Sequence, residues 1–128
     1  MNRTDYFNSE SELPHYLPYP SFLLKSGLSM TATVVYAVLL NRTTLSQKSN
    51  WVDEQGRVFC IYKIKADHPE LPAYEKYEDL LAAIKNAMKE LVKADLLEKK
   101  RITFQGPNRL YVKCDFTMPE QPDEDVTA

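Results

Sequence analysis

Seven apolar residues, Leu80, Leu81, Ile84, Ala87, Met88, Leu91 and Val92, recur at i, i+1, i+4, i+7, i+8, i+11 and i+12. That spacing draws one continuous stripe along a helix, and a helix with such a stripe must bury it against other elements. Nearly every residue from Ala73 to about Ala94 is a good helix former, so the pattern predicts one helix over that range. Turning the stripe inward places Lys85, Lys89 and Lys93, spaced by four, on the outer face with Asn86 beside them. The chain then runs directly into Glu98–Phe104 and Arg109–Phe116, two strand-like segments joined by Gln105-Gly106-Pro107-Asn108, whose residues favour a turn.

A second, more apolar helix precedes this unit. Ser29 or Thr31 can cap it, and Val34, Val35, Val38, Leu39 and Leu45 follow, so the pattern predicts a largely buried helix ending at Lys48 at the latest. Trp51 to Tyr62 places Gly56 between two β-rich runs and predicts a first hairpin. Pro14, Pro18 and Pro20 oppose a helix near the N-terminus and favour an extended arm over residues 1–17, carrying Tyr16 and Leu17. Residues 18–116 then form the domain, and residues 117–128, with Pro119, Pro122 and four acids, form an acidic tail or linker. The fold class expected is α+β, with core helices and two β-hairpins.

Several function classes are disfavoured. Only three glycines occur, at 27, 56 and 106, too far apart for a loop that cradles phosphate. The two histidines, His15 and His68, each adjoin or nearly adjoin a proline, with no nucleophile at a catalytic spacing, so no enzyme is expected. Cys60 and Cys114 belong to no CxxC or Cys/His cluster; no metal or other cofactor is expected, and their apolar flanks predict buried free thiols in strands. No apolar run approaches the roughly 18 residues that span a bilayer and no leader pattern opens the chain, so a cytoplasmic protein without a membrane partner is expected.

Charge is distributed unevenly. Outside the two acidic ends, residues 13–116 carry 15 Lys and Arg against 11 Asp and Glu, a net of +4. Strand alternation sets Lys99 and Arg101 on one face of the outgoing strand, while Arg109 and Lys113 share a face of the return strand. Lysine can neutralise phosphate, asparagine can pair with adenine, and the major groove admits a helix. Lysine at every fourth position is equally the ordinary composition of a solvated helix face, and lysine-rich edge strands discourage aggregation. Helix followed by basic ribbon is nonetheless the order of a winged helix-turn-helix, whose helix and ribbon contact one duplex.

A family resemblance rests on specific segments. Pro20-Ser21-Phe22-Leu23-Leu24, Thr33 through Arg42, Leu45-Ser46-Gln47-Lys48 and Trp51 through Phe59 resemble the N-terminal domain of the plasmid replication initiator A family. Ala83-Ile84-Lys85, Lys89-Glu90-Leu91, Leu96 through Arg101 and Gln105 through Val112 continue the likeness, which runs from about Pro18 to Lys113. The resemblance implies a winged-helix domain, usually dimeric, that binds double-stranded DNA at repeated origin sequences and adjoins a separate C-terminal domain able to meet host replication proteins. On that reading Lys85, Asn86, Lys89 and Lys93 face the groove, Lys99, Arg101, Arg109 and Lys113 meet the backbone, and Tyr16, Leu17, Tyr19 and Phe22 dimerise. His68 to Asp79 departs from the family pattern and brings Glu75, Glu78 and Asp79 near the start of the recognition helix. A protein-interaction module on the same scaffold, or a small transcriptional regulator, are the alternative functions.

Overall fold

The computed structural model describes residues 4–61, 77–102 and 107–117. Residues 4–20 form no helix or strand, and a short 3-10 turn over Ser21–Lys25 leads into the body. Helix α1 spans Met30–Lys48; its N-cap is Ser29, whose hydroxyl oxygen accepts the Ala32 N–H at 3.1 Å. Helix α2 spans Tyr77–Lys93, and strands β1 (Leu97–Arg101) and β2 (Asn108–Val112) follow. The expected start of α2 at Ala73 lies outside the described residues, as does most of the turn between the strands.

Both helices end by the same device. Asn50 and Asp95 each adopt a φ of 62°, the left-handed conformation that Asn and Asp tolerate better than most residues. Behind them, Trp51 N–H donates to the Ser46 carbonyl (2.9 Å) and Leu96 N–H to the Leu91 carbonyl (3.0 Å). These bonds satisfy carbonyls that the helix itself cannot, and they turn the chain back onto the core. After α2 the reversal feeds Leu97 straight into β1.

The core lies between the two helices and one face of the sheet. Ala32, Val35, Tyr36 and Leu39 of α1 meet Leu80, Ile84, Ala87, Met88 and Leu91 of α2, closed by Leu97 and Leu110 from the ribbon. The α2 stripe is therefore buried as the spacing predicts, except that Val92 at its rim is 44% exposed. Leu45 of α1, expected inside, is 49% exposed because the core stops short of that helix's last turn. The Tyr36 hydroxyl, inside the core, donates to the Lys113 carbonyl at 2.7 Å and lies 3.2 Å from Cys114 Sγ, fastening the end of the ribbon to α1.

The sheet differs from two separate hairpins. β1 and β2 pair antiparallel in the register Leu97↔Val112, Lys99↔Leu110, Lys100↔Arg109 and Arg101↔Asn108. The first hairpin has a single bridge, Val52↔Val58, and its return segment joins the ribbon instead: Cys60 and Leu110 exchange both backbone hydrogen bonds, each 2.9 Å. β2 thus lies between β1 and the Cys60 segment. Cys60 is buried as expected, whereas Cys114 follows β2 in irregular chain and is only half-buried; the expected strand over Arg109–Phe116 ends at Val112. One further backbone bond in the same register, from Lys113 N–H to the Leu96 carbonyl at 2.9 Å, follows the last assigned pair.

Candidate nucleic-acid interface

Helix α2 presents the polar face that its stripe requires. Lys85, Asn86, Lys89 and Lys93 are all exposed on the side away from the core. Asn86 also borders a shallow cleft beside the start of α1, lined by Ser29, Thr31, Ala83, Ala87 and Glu90. Across that cleft Glu90 accepts two hydrogen bonds from Ser29, so one flank of α2 is held against the N-terminus of α1. Glu78 and Asp79, in the first turn of α2, are exposed and bring negative charge to the start of this face, where the helix dipole favours it.

The ribbon register divides its cations between two faces. Residues directly opposite in an antiparallel pair project to the same side. Lys99 and Arg101 therefore share the side of Leu97 and Leu110, which face the helices, while Lys100 and Arg109 project from the reverse side. Period-two reasoning grouped residues correctly within each strand, but without the register it could not pair one strand with the other. Arg101 and Arg109, expected to act together, stand on opposite faces.

Lys113 has a partner that sequence reasoning did not foresee. It lies past the end of β2, at the base of the ribbon rather than its tip, and its Nζ is 2.6 Å from Asp95 Oδ1. The hydrogen bond and the charge of Asp95 both push the lysine's pKa up. Lys113 is thus paired with the turn after α2. Of the residues expected to dimerise, Tyr16 and Tyr19 are exposed, Leu17 is half-buried, and Phe22 packs edge-on against Tyr36, with ring centroids 5.7 Å apart.

The reverse face holds groups that sequence reasoning missed. Arg109 stacks over the Phe59 ring at 4.1 Å, and Arg57 over the Tyr111 ring at 5.0 Å. Trp51 lies against Phe59 with centroids 5.9 Å apart. Asp53 organises the hairpin: its carboxylate accepts the backbone N–H groups of Gln55 and Arg57, each at 2.9 Å, the Arg57 Nε–H at 3.0 Å and the Tyr111 hydroxyl at 3.1 Å. Led by the Arg57 backbone bond, these donors lower its pKa to about 2, against a smaller opposing effect of desolvation. The sequence signal available was Asp53 followed by Gly56 and Arg57, a turn pattern. Among the described residues no group of three or more His, Cys, Asp or Glu could hold a metal ion, and no helix is long and apolar enough to cross a membrane.

Residues 15–126 match the family described as replication initiator protein A (RepA), N-terminus. The chain belongs to that family. No curated protein matches it in sequence. Three solved structures resemble it in fold. One, described as the N-terminal domain of a DNA binding protein, is 24% identical, with a TM-score of 0.55 over 91% of this chain and 88% of that one. Another, a Rep-DNA complex, is 24% identical with a TM-score of 0.57, covering 90% of this chain and 88% of the other. A third, an MDR initiator, is 26% identical with a TM-score of 0.52 over 84% of each chain. The architecture is a winged helix-turn-helix of the α+β class, with α2 running directly into the β1–β2 wing.

Proposed function

We propose that this RepA N-terminal domain binds double-stranded DNA in a sequence-specific manner, as the origin-recognition part of a plasmid replication initiator. The observation that carries the reading is the exposed Lys85, Asn86, Lys89 and Lys93 face of α2 set beside a wing with four cations, in a chain that matches the initiator family over residues 15–126. Lys85, Asn86 and Lys89 meet base edges and neighbouring phosphates in the major groove, and Lys99 and Arg101 meet the backbone from the helix side of the wing. The Rep-DNA complex of similar fold supports the same use of the scaffold. This is a binding domain and not an enzyme.

The organisation proposed around it is an N-terminal arm over residues 1–17, a winged-helix domain over 18–116 and an acidic linker over 117–128 towards a C-terminal domain that meets host replication proteins. Exposed Tyr6, Phe7, Leu13 and Tyr16 support an arm that pairs two copies, since that much apolar surface is seldom left in water. The setting proposed is the cytoplasm.

The decisive experiment is an electrophoretic shift, at two salt concentrations, using duplexes from the DNA adjoining the gene and unrelated duplexes of equal length. Tighter, salt-sensitive binding to one adjoining segment supports the reading. Equal binding to all duplexes removes the sequence-specific part. No binding at either salt concentration favours the protein-interaction role, with exposed Glu78 and Asp79 as the reason that phosphate is repelled.

A further inference from the structure

The first hairpin and the reverse face of the sheet share a connected aromatic array. Trp51 lies against Phe59, Phe59 lies against Tyr111 of β2 with centroids 6.1 Å apart, and Arg109 and Arg57 stack on Phe59 and Tyr111. Tyr111 is buried within the array, but Trp51 is 45% exposed. A cleft of about 170 Å³ opens beside the indole, with apolar walls from Leu45 and Ile61 and hydroxyls from Ser46 and Ser49. Leu45 and Ile61 are themselves exposed, so Trp51 stands in a continuous apolar surface rather than as a lone outward ring. A flat ring with polar edges suits such a slot, its face on the indole and its edges towards the two serines.

The other end of the array is cationic. Arg57, Lys100 and Arg109 line an open cleft of about 380 Å³ together with Asp53 and Glu54. Arg57 and Asp53 neutralise each other at 3.0 Å, and Lys100 with Arg109 outweighs Glu54, so the cleft has a net charge of +1. Arg109 belongs to both features, because it lines this cleft and stacks on the ring that Trp51 also touches. Its guanidinium and the indole are therefore at most about 10 Å apart. A guanidinium takes a ring on its plane and donates to phosphate from its edge, two contacts that a lysine cannot combine.

We infer that this face binds single-stranded DNA, with unstacked bases lying on Trp51 and Arg109 and the phosphates between them meeting Lys100 and Arg109. A duplex hides its base faces in its own stack and offers only edges and phosphates, whereas exposed rings beside cations match bases whose faces are open. Binding through ring faces is tolerant of sequence, because every base has one. The surface lies on the side of the sheet opposite Leu97 and Leu110, which face the helices, and is separate from the Lys85, Asn86 and Lys89 face of α2. The choice of DNA over RNA rests on the proposed function; the binding of an unpaired strand does not.

Trp51 is the single tryptophan of the chain, so its emission reports on the site itself. The full chain is titrated with an oligothymidylate of about ten nucleotides, a length that one small domain covers. Tryptophan emission is followed, and separately the anisotropy of a fluorescein-labelled strand. Saturable quenching with the same midpoint in both signals is expected. Trp51→Ala should weaken binding by about 5- to 100-fold, the loss of one stacked base, and Trp51→Phe, which keeps a ring against Phe59, by less. Lys100→Gln changes an exposed residue outside the core and should flatten the slope of log affinity against log salt by about 0.7, the value for one phosphate of a single strand. Adding the adjoining duplex that the chain binds best should leave the quenching in place. A rise in anisotropy without quenching, quenching reversed by that duplex, an unchanged salt slope for Lys100→Gln, or no binding of the strand overturns the inference while duplex binding stands. Tighter binding of oligouridylate than of oligothymidylate overturns the assignment to DNA. A chain that takes the strand through Trp51 but binds no duplex upholds the inference and removes the proposed function.

Discussion

Glu90 holds Ser29 by both of its donors, with Oε2 at 3.0 Å from the backbone nitrogen and 2.8 Å from the hydroxyl oxygen. That oxygen in turn accepts the Ala32 N–H, so a carboxylate on α2 completes the N-cap of α1 from 61 residues away in sequence. The anion also sits at the positive end of the α1 dipole. Ser29→Ala should therefore cost about 1–2 kcal/mol in urea denaturation, and Glu90→Gln, which keeps an acceptor and loses the charge, about 0.5 kcal/mol. The two changes should be non-additive in a double-mutant cycle. Additive losses would show that the contact is not formed in solution.

Asp53 makes stability depend on pH in a definite direction. Its folded pKa, about 2, lies below the value of about 3.9 expected of an unfolded Asp. Its contribution is therefore complete above about pH 4 and is lost as pH falls from about 4 towards 2. Asp53→Asn should melt below the wild type at pH 5, and the gap should close as the pH approaches 2. A gap that stays constant over that interval would mean that the charge of Asp53 plays no part.

Periodicity within one element was legible in the sequence, and relationships between elements were not. The α2 stripe could be read directly because Leu80, Ile84, Ala87, Met88 and Leu91 recur at helical spacing, and all five are buried. The cap at Ser29 was legible for the same reason, since capping is local. Glu90 was not, because its partner lies on another helix. The face shared by Lys99 and Arg101 followed from strand alternation, but placing Arg109 on the reverse face required the pairing of Lys100 with Arg109, which a turn partly outside the regular strands does not reveal. The ion pair of Lys113 with Asp95 was not legible for the same reason, since its partner lies in the turn after α2.

The two thiols should differ in reactivity. Cys60 is 2% exposed, and burial pushes its pKa up, opposed by smaller effects of Thr43 and Arg42. Thiolate is the reactive form, so access and ionisation both protect Cys60, whereas Cys114 is only half-buried. Titration of the native protein with a thiol reagent at pH 8 should show one fast group, absent in Cys114→Ser, and one slow group limited by opening of the core. Two fast groups would contradict the placement of Cys60 beside Leu110.

Asn86 provides the sharpest separation between reading bases and touching phosphate. It lies on the outer face of α2 beside Lys89 and Lys93, carries no charge, and has both a donor and an acceptor with which to meet an adenine edge. Removing it should leave the counterion term almost untouched, because no phosphate contact is lost. Asn86→Ala should thus reduce the preference for the best adjoining segment by roughly 1–3 kcal/mol while the salt slope stays within experimental error. Lys89→Ala should behave oppositely if its main contact is phosphate: binding to cognate and unrelated duplexes falls together, and the slope flattens by about 0.9. Titrations of both variants against both duplexes at several salt concentrations distinguish the two roles. Equal loss on cognate and unrelated DNA from Asn86→Ala would mean that this face of α2 lies along the backbone, and the bases would then have to be read from elsewhere in the domain.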